Sequence, residues 1–142
     1  MDIVRWLDKH KLFYWMPLLA VIAVILFFSI IPRPFEVIAG EKGSFFHELD
    51  FSDIEHIAAY FTLCFFMGVA FRHSKIDILR NNHYALAISL SLLIGAMLEF
   101  LQGFIPGRYL SFYDVMFNLT GIIPAHLLRY VLKKGKILGK IL

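Results

Sequence analysis

The sequence has a single cysteine, Cys64, which lies in the middle of an apolar run. One cysteine excludes a disulfide framework and a thiolate metal site within the chain. The sequence also lacks an HExxH pair, a nucleophile elbow and a phosphate-cradling glycine loop. We therefore predict no metal site from ligand spacing, identify no cofactor, and interpret Cys64 and His126 as packing residues.

Charged residues are also scarce, at 18% of the 142 residues, whereas hydrophobic residues make up 59%. A water-soluble domain of this size could not bury so many apolar side chains in one core. The net charge of +3 does not indicate a nucleic-acid partner, because five of the fourteen Lys/Arg residues follow residue 128. That concentration is typical of a cytoplasmic membrane flank, so the composition predicts an integral membrane protein.

Four apolar runs are present, at residues 12–31, 54–71, 84–101 and 112–132. As a helix, each run can cross roughly 30 Å of hydrocarbon. Open sheets are excluded in lipid, and the runs lack the alternation of a barrel strand. The sequence therefore predicts an all-α fold: one membrane domain, residues 1–142, with four transmembrane helices.

Basic residues indicate how this bundle is oriented. The N-terminal segment has three Lys/Arg, the second loop three and the tail five, whereas the first loop has two and the third loop one. By the positive-inside rule, the N- and C-termini are cytoplasmic in a multi-pass protein. The first and third loops then face outward.

Polar residues gather at the outward ends of three of these helices. Residues three or four apart lie on one helix face, so each helix presents a polar stripe at the same depth. The stripes are Asp53, His56 and Tyr60, then Glu99 and Gln102, then Asp114 and Asn118. Since ionisable groups in a membrane usually face the bundle interior, we expect one outward-opening pocket. The loop that carries Arg108 would cap it.

The third helix has a small-residue face that supports this arrangement. Ser91, Gly95 and Glu99 recur every four residues, which predicts close helix contact and directs Glu99 into the bundle. Few polar groups occur in the inner halves of the helices, so we expect no path for ions through the bundle.

Two interpretations of the polar residues remain open. They could form a structural network that sets helix register, in which His56 is a core histidine bonded to Tyr60. Alternatively they form a site, in which the catalytic candidates are His56, Glu99 and Asp114. The ligand-binding candidates are then Asp53, Tyr60, Gln102, Arg108 and Asn118. An imidazole beside carboxylates suits a general base or a metal ligand.

Three segments carry a resemblance to a known family. "SDIEHIAAYF", "EFLQGFIPGR" and "SFYDVMFNLTG" resemble the VanZ-like family of small bacterial membrane proteins. The family pattern has Asp and His ahead of an "AY" pair, a Glu-x-x-Gln pair, a Pro-Gly-Arg turn, and an Asp-x-x-x-Asn-x-x-Gly stripe. The match covers about residues 50–125, but Ile54 stands where many members carry Lys.

The resemblance implies a cell-envelope protein of the bacterial cytoplasmic (inner) membrane, in a family associated with teicoplanin resistance. It brings no agreed reaction, so whether the protein is an enzyme stays open. The favoured hypothesis is an outer-leaflet pocket that binds a membrane lipid head group or a lipid-linked cell-wall intermediate and affects glycopeptide susceptibility. The alternatives are a membrane hydrolase or transferase that uses the His/Asp/Glu residues, and a scaffold subunit that binds a membrane-protein partner.

Overall fold

In the computed structural model, the described residues are 10–30, 51–105 and 110–135. They form a short 3-10 turn, Lys11–Tyr14, and five α-helices. The helices are α1 (Met16–Ile30), α2 (Phe51–Arg72), α3 (Asp77–Asn81), α4 (His83–Gln102) and α5 (Phe112–Leu132). No strand occurs within these ranges, which confirms the all-α prediction.

Four helical segments are long and apolar enough to cross a membrane: Lys11–Ile30, Ser52–Arg72, His83–Gln102 and Phe112–Leu132. This confirms the prediction of four helices that are long and apolar enough to cross a membrane. Helix α2 begins at Phe51, earlier than the apolar run, because Asp53 in its first turn is favourable at a helix N-terminus. The short helix α3 was not predicted, and an ion pair between Asp77 and Arg80 lies within it.

Helices α2 and α5 form the most intimate pair of the bundle. They run parallel, since His56 on α2 contacts Asn118 on α5 and Gly68, three turns later, contacts Arg129. The close approach requires a glycine at position 121, because a Cβ on Gly121 would lie 2.3 Å from the carbonyl oxygen of Ile57. The two backbones therefore touch at this glycine.

Helix α4 packs across this pair in the opposite direction. Its small-residue face is buried, with Ser91 fully enclosed and Glu99 only 3% exposed, as the four-residue spacing predicted. A Cβ at Gly95 would lie 2.8 Å from Asn118 Nδ2 and 2.9 Å from Tyr60 Cε1. The small-residue face is thus used for helix packing inside the chain.

Helix α1 packs against the far end of α2. The rings of Tyr14 and His73 stack at 3.7 Å between centroids, and Trp15 lies 5.9 Å from Phe71. The start of α1, the end of α2, the start of α4 and the end of α5 therefore lie at one end of the bundle. The start of α2, the end of α4 and the start of α5 lie at the other.

Much of the outer surface is apolar. Large side chains on three helices are more than half exposed, as on a surface that contacts lipid: Phe27, Leu93, Phe100, Ile123 and Val131.

Candidate functional site

Three helix ends supply one group of polar side chains, which we call the acidic cluster. It consists of Asp53, His56 and Tyr60 from α2, Glu99 and Gln102 from α4, and Asp114 and Asn118 from α5. Five of the seven are almost fully buried, with 1–6% exposure: Asp53, Tyr60, Glu99, Gln102 and Asn118. Arg108, which the sequence placed over this group, lies outside the described residues, as do Pro106 and Gly107.

The imidazole of His56 links α2 to α5 within the acidic cluster. His56 Nδ1 lies 3.0 Å from Asn118 Oδ1. Because a carboxamide oxygen only accepts hydrogen bonds, His56 Nδ1–H donates to Asn118. His56 Nε2 lies 3.9 Å from Asp114 Oδ2, beyond hydrogen-bond range, and both side chains are 19% exposed. An imidazole nitrogen and a carboxylate thus face each other across a partly accessible gap.

Glu99 is held in place by the start of α5. The backbone N–H of Ser111 donates to Glu99 Oε1 at 2.7 Å, and Ser111 Oγ accepts from the backbone N–H of Asp114 at 3.3 Å. Serine is a favoured N-cap because its oxygen satisfies one of the unpaired donors of the first turn. The first bond joins the end of α4 to the N-cap residue of α5, and the second caps α5 itself.

The result is a three-residue constellation from three helices. His56, Glu99 and Asp114 each offer one ligand atom, and these atoms lie within 4.8 Å of one another. One imidazole and two carboxylates suit a divalent cation such as zinc, manganese or magnesium, and they also suit hydrogen bonds to hydroxyl or ammonium groups.

The ring of Tyr60 lies next to these three residues, one helical turn along α2 from His56. Its ring lies parallel to that of His56, with 6.4 Å between centroids, and is 4% exposed. The shared face of His56 and Tyr60 was predicted correctly. The imidazole, however, bonds to Asn118 and not to Tyr60, so the core-histidine alternative had the wrong partner.

The whole of this arrangement lies inside one family match. The model of the VanZ/LLP1 family matches residues 12–133, which include all four long helices. The chain belongs to the VanZ/LLP1 family. No curated protein and no solved structure gave a match to the chain. It is therefore a multi-pass membrane protein of the VanZ type, as the three polar segments of the sequence indicated.

This VanZ/LLP1 protein has a second polar group that the sequence interpretation missed. Arg129 was counted with the basic tail, yet its side chain is fully buried, and a Cβ at Gly68 would lie 1.6 Å from Arg129 Nη1. The expectation that the inner halves of the helices are poor in polar groups was therefore wrong. A signal was present, since Asn118, Gly121 and Ala125 form a stripe whose next position is Arg129.

Arg129 belongs to a group that we call the basic cluster, located at the opposite end of the bundle from the acidic cluster. Its members are Arg72, His83, Tyr84, His126, Arg129 and Lys133. The ring of Tyr84 lies 5.1 Å from that of His126, so the histidine belongs to this cluster. Cys64 is 1% exposed, which agrees with a packing role.

Proposed function

We propose that this VanZ/LLP1 protein binds the polar head group of a lipid at the acidic cluster, from the outer leaflet of the bacterial cytoplasmic membrane. The observation that carries the proposal is the convergence of His56, Glu99 and Asp114 from three helices, with polar atoms within 4.8 Å of one another. Convergence at the ends of the helices is what a ligand at head-group level requires.

The chemistry of the cluster indicates what the head group offers. Carboxylates of Glu99 and Asp114 accept hydrogen bonds, and so does Nε2 of His56 when its imidazole is neutral. A head group with hydroxyl or ammonium donors fits these acceptors. Arg108, on the loop between α4 and α5, is expected to contact the anionic part of the same ligand.

Apolar side chains around the cluster are suited to acyl chains. Phe100 and Phe104 on the α4 side are 57% and 72% exposed, and Phe112 at the start of α5 is 69% exposed. A lipid whose head group enters the cluster would lay its chains along this surface. Phospholipids and lipid-linked cell-wall intermediates both have this shape.

Native mass spectrometry of the full chain in nanodiscs tests the proposal. A lipid extract from a bacterial membrane would be offered to the wild type, to Glu99→Gln and to Glu55→Gln. Glutamine keeps an oxygen for the Ser111 N–H, so Glu99→Gln should fold. Glu55 is the matched control, because it lies on the same end of α2 but is exposed.

We expect the wild type and Glu55→Gln to retain one lipid class selectively and Glu99→Gln to retain about tenfold less of it, as for a lost charge-assisted hydrogen bond. Retention that matched the bulk lipid composition in the wild type, or equal retention by Glu99→Gln, would refute the proposal. If the retained lipid is a cell-wall intermediate, cells that express Glu99→Gln should also differ from wild type in teicoplanin susceptibility.

A second candidate function, hydrolysis or group transfer on such a lipid, is favoured by the orientation of His56. Asn118 holds Nδ1–H and leaves Nε2 free to accept a proton beside Asp114. Turnover of the retained lipid by purified protein, abolished in His56→Ala and Asp114→Asn but kept in Glu55→Gln, would establish it. A wild type that leaves its lipid unchanged would exclude catalysis on that lipid and leave the binding proposal standing.

A further inference from the structure

The basic cluster is organised around one aromatic ring. The Tyr84 ring centroid lies 4.8 Å from Arg129 Cζ and 5.5 Å from Lys133 Nζ, within the range of cation–π attraction. The rings of His83 and His126 lie 4.2 and 5.1 Å from the same ring. Two cations and two imidazoles from α4, α5 and the residue after α5 thus surround a single tyrosine.

Three polar atoms of these rings are buried and have no hydrogen-bond partner among residues 10–30, 51–105 and 110–135. They are His83 Nε2, Tyr84 Oη and His126 Nδ1. Buried polar atoms in folded proteins are nearly always satisfied, by protein, water or a ligand. The phenol is a donor and His126 Nδ1 becomes one in the appropriate tautomer, so the cluster has hydrogen bonds to give.

The charges around these hydrogen-bond donors determine whether their acceptor is an anion or a cation. Arg72, Arg129 and Lys133 all act on His83 through their positive charge. In the described part of the chain, the carboxylate at this end is Asp77, which bonds to Arg80 within α3. The cluster therefore has an excess of positive charge beside buried donors.

We propose that the basic cluster binds a phosphate group, with Lys133, Tyr84 and His126 as its contacts and the buried Arg129 as additional positive charge. Phosphate oxygens accept several hydrogen bonds at once and attract cations, which is what the cluster supplies. Because Tyr84 and Lys133 lie at helix ends, the phosphate is at head-group level in the leaflet opposite to the acidic cluster. This site is separate from the one proposed above and does not depend on it.

The chain provides a matched control for this proposal. Lys134 Nζ lies 5.5 Å from the centroid of the Tyr130 ring, which repeats the Lys133–Tyr84 geometry on the outer face of α5. Tyr130 is 56% exposed, whereas Tyr84 is only partly exposed and its hydroxyl is buried. General attraction of basic residues to anionic lipid would act on both lysines, while a specific site involves only Lys133.

The experiment measures phosphatidic acid bound to the full chain in phosphatidylcholine nanodiscs, by native mass spectrometry across a titration. We expect binding about tenfold weaker in Lys133→Ala and in Tyr84→Phe, and unchanged in Lys134→Ala and Tyr130→Phe. Tyr84→Phe removes only a hydroxyl that has no described partner, so the variant should fold as well as the wild type.

Competition with soluble glycerol phosphate separates the two sources of phosphate. If glycerol phosphate displaces phosphatidic acid, the site accepts free phosphate esters, and if it does not, the site requires a lipid; both outcomes support a phosphate site. Equal loss in Lys133→Ala and Lys134→Ala, or wild-type binding in Tyr84→Phe, would overturn the proposal. Loss of lipid in Glu99→Gln would not bear on it, because Glu99 lies at the other end of the bundle.

Discussion

Replacing Gly121 with alanine should separate α2 from α5, and this single methyl group tests how the bundle is held together. The new Cβ would lie 2.3 Å from the Ile57 carbonyl oxygen and 2.9 Å from the Phe61 backbone nitrogen. Both atoms belong to the backbone of a helix, so neither can rotate away. Since ordinary contact with a Cβ begins at 3.4 Å, the helices must move apart by about 1 Å.

The energetic cost follows from this displacement. Overpacking of this kind typically costs about 1–3 kcal/mol. A shift of about 1 Å also forfeits much of the dispersion energy along the contact. One turn away it would stretch the 3.0 Å bond between His56 and Asn118, which is worth about 0.6 kcal/mol in a membrane. We therefore expect Gly121→Ala to lower the free energy of unfolding by about 2–3 kcal/mol.

The measurement is an SDS titration of the protein in mild detergent, followed by circular dichroism. The control is Gly103→Ala: Gly103 has φ −60° and ψ −17°, and a Cβ there would meet only the Phe100 carbonyl at 3.3 Å and Leu110 Cβ at 3.6 Å. Alanine fits this helical conformation, so stability should change by less than about 0.5 kcal/mol. Wild-type stability in Gly121→Ala, or an equal loss in Gly103→Ala, would refute the close helix contact.

Three further predictions use the same protein. Ser111→Ala should lower the free energy of unfolding by about 1 kcal/mol through loss of the N-cap, and Ser111→Asp should preserve it, by the same SDS titration. Gly68→Ala should weaken phosphatidic acid binding in the nanodisc titration, because the methyl group displaces the end of the Arg129 side chain and no backbone atom. For topology, an impermeant maleimide should label Ser52→Cys in intact cells and Lys75→Cys only after the membrane is opened, since both positions are exposed; the reverse pattern would invert the proposed orientation.

The fold was predictable because a membrane leaves few options. Once composition indicates a chain in lipid, only helices and closed barrels satisfy the backbone, and four apolar runs then give four helices. Local departures were not predictable from apolar runs alone. Helix α3 consists of Asp77–Asn81, is amphiphilic and only five residues long, and therefore has no hydropathy signal.

The acidic cluster was largely predictable for a geometric reason. Helical periodicity fixes which residues share a face, and topology fixes their depth, so His56, Glu99 and Asp114 had to lie at one level. Which atoms bond is a different matter, because it depends on the rotation of each helix about its axis. The hydrogen bond from His56 to Asn118 forms only because α2 packs against α5. The sequence of neither helix indicates that the other is its neighbour.

Arg129 escaped prediction because a charge near the end of an apolar run is normally interpreted as a solvated flank. Its burial depends on Gly68 of another helix, which leaves room for the guanidinium where any side chain would collide. The stripe of small residues on α5 points toward this space, but a stripe on one helix does not reveal a glycine on its partner. The burial of Arg129 therefore depends on how α2 and α5 pack together, and neither helix sequence predicts it alone.

The spacing of the two clusters constrains how ligands reach them. Twelve residues separate His56 from Gly68 on α2, a rise of roughly 18 Å at 1.5 Å per residue. The hydrocarbon core is about 30 Å thick, so these two levels do not themselves span it, and the helix ends beyond them, where Lys133 lies, reach the head groups. His56 is 19% exposed on its side chain whereas Arg129 is fully buried, so the guanidinium is the more enclosed of the two. A phosphate at the basic cluster would therefore contact Lys133, Tyr84 and His126 directly, and the enclosed Arg129 would act on it through its charge.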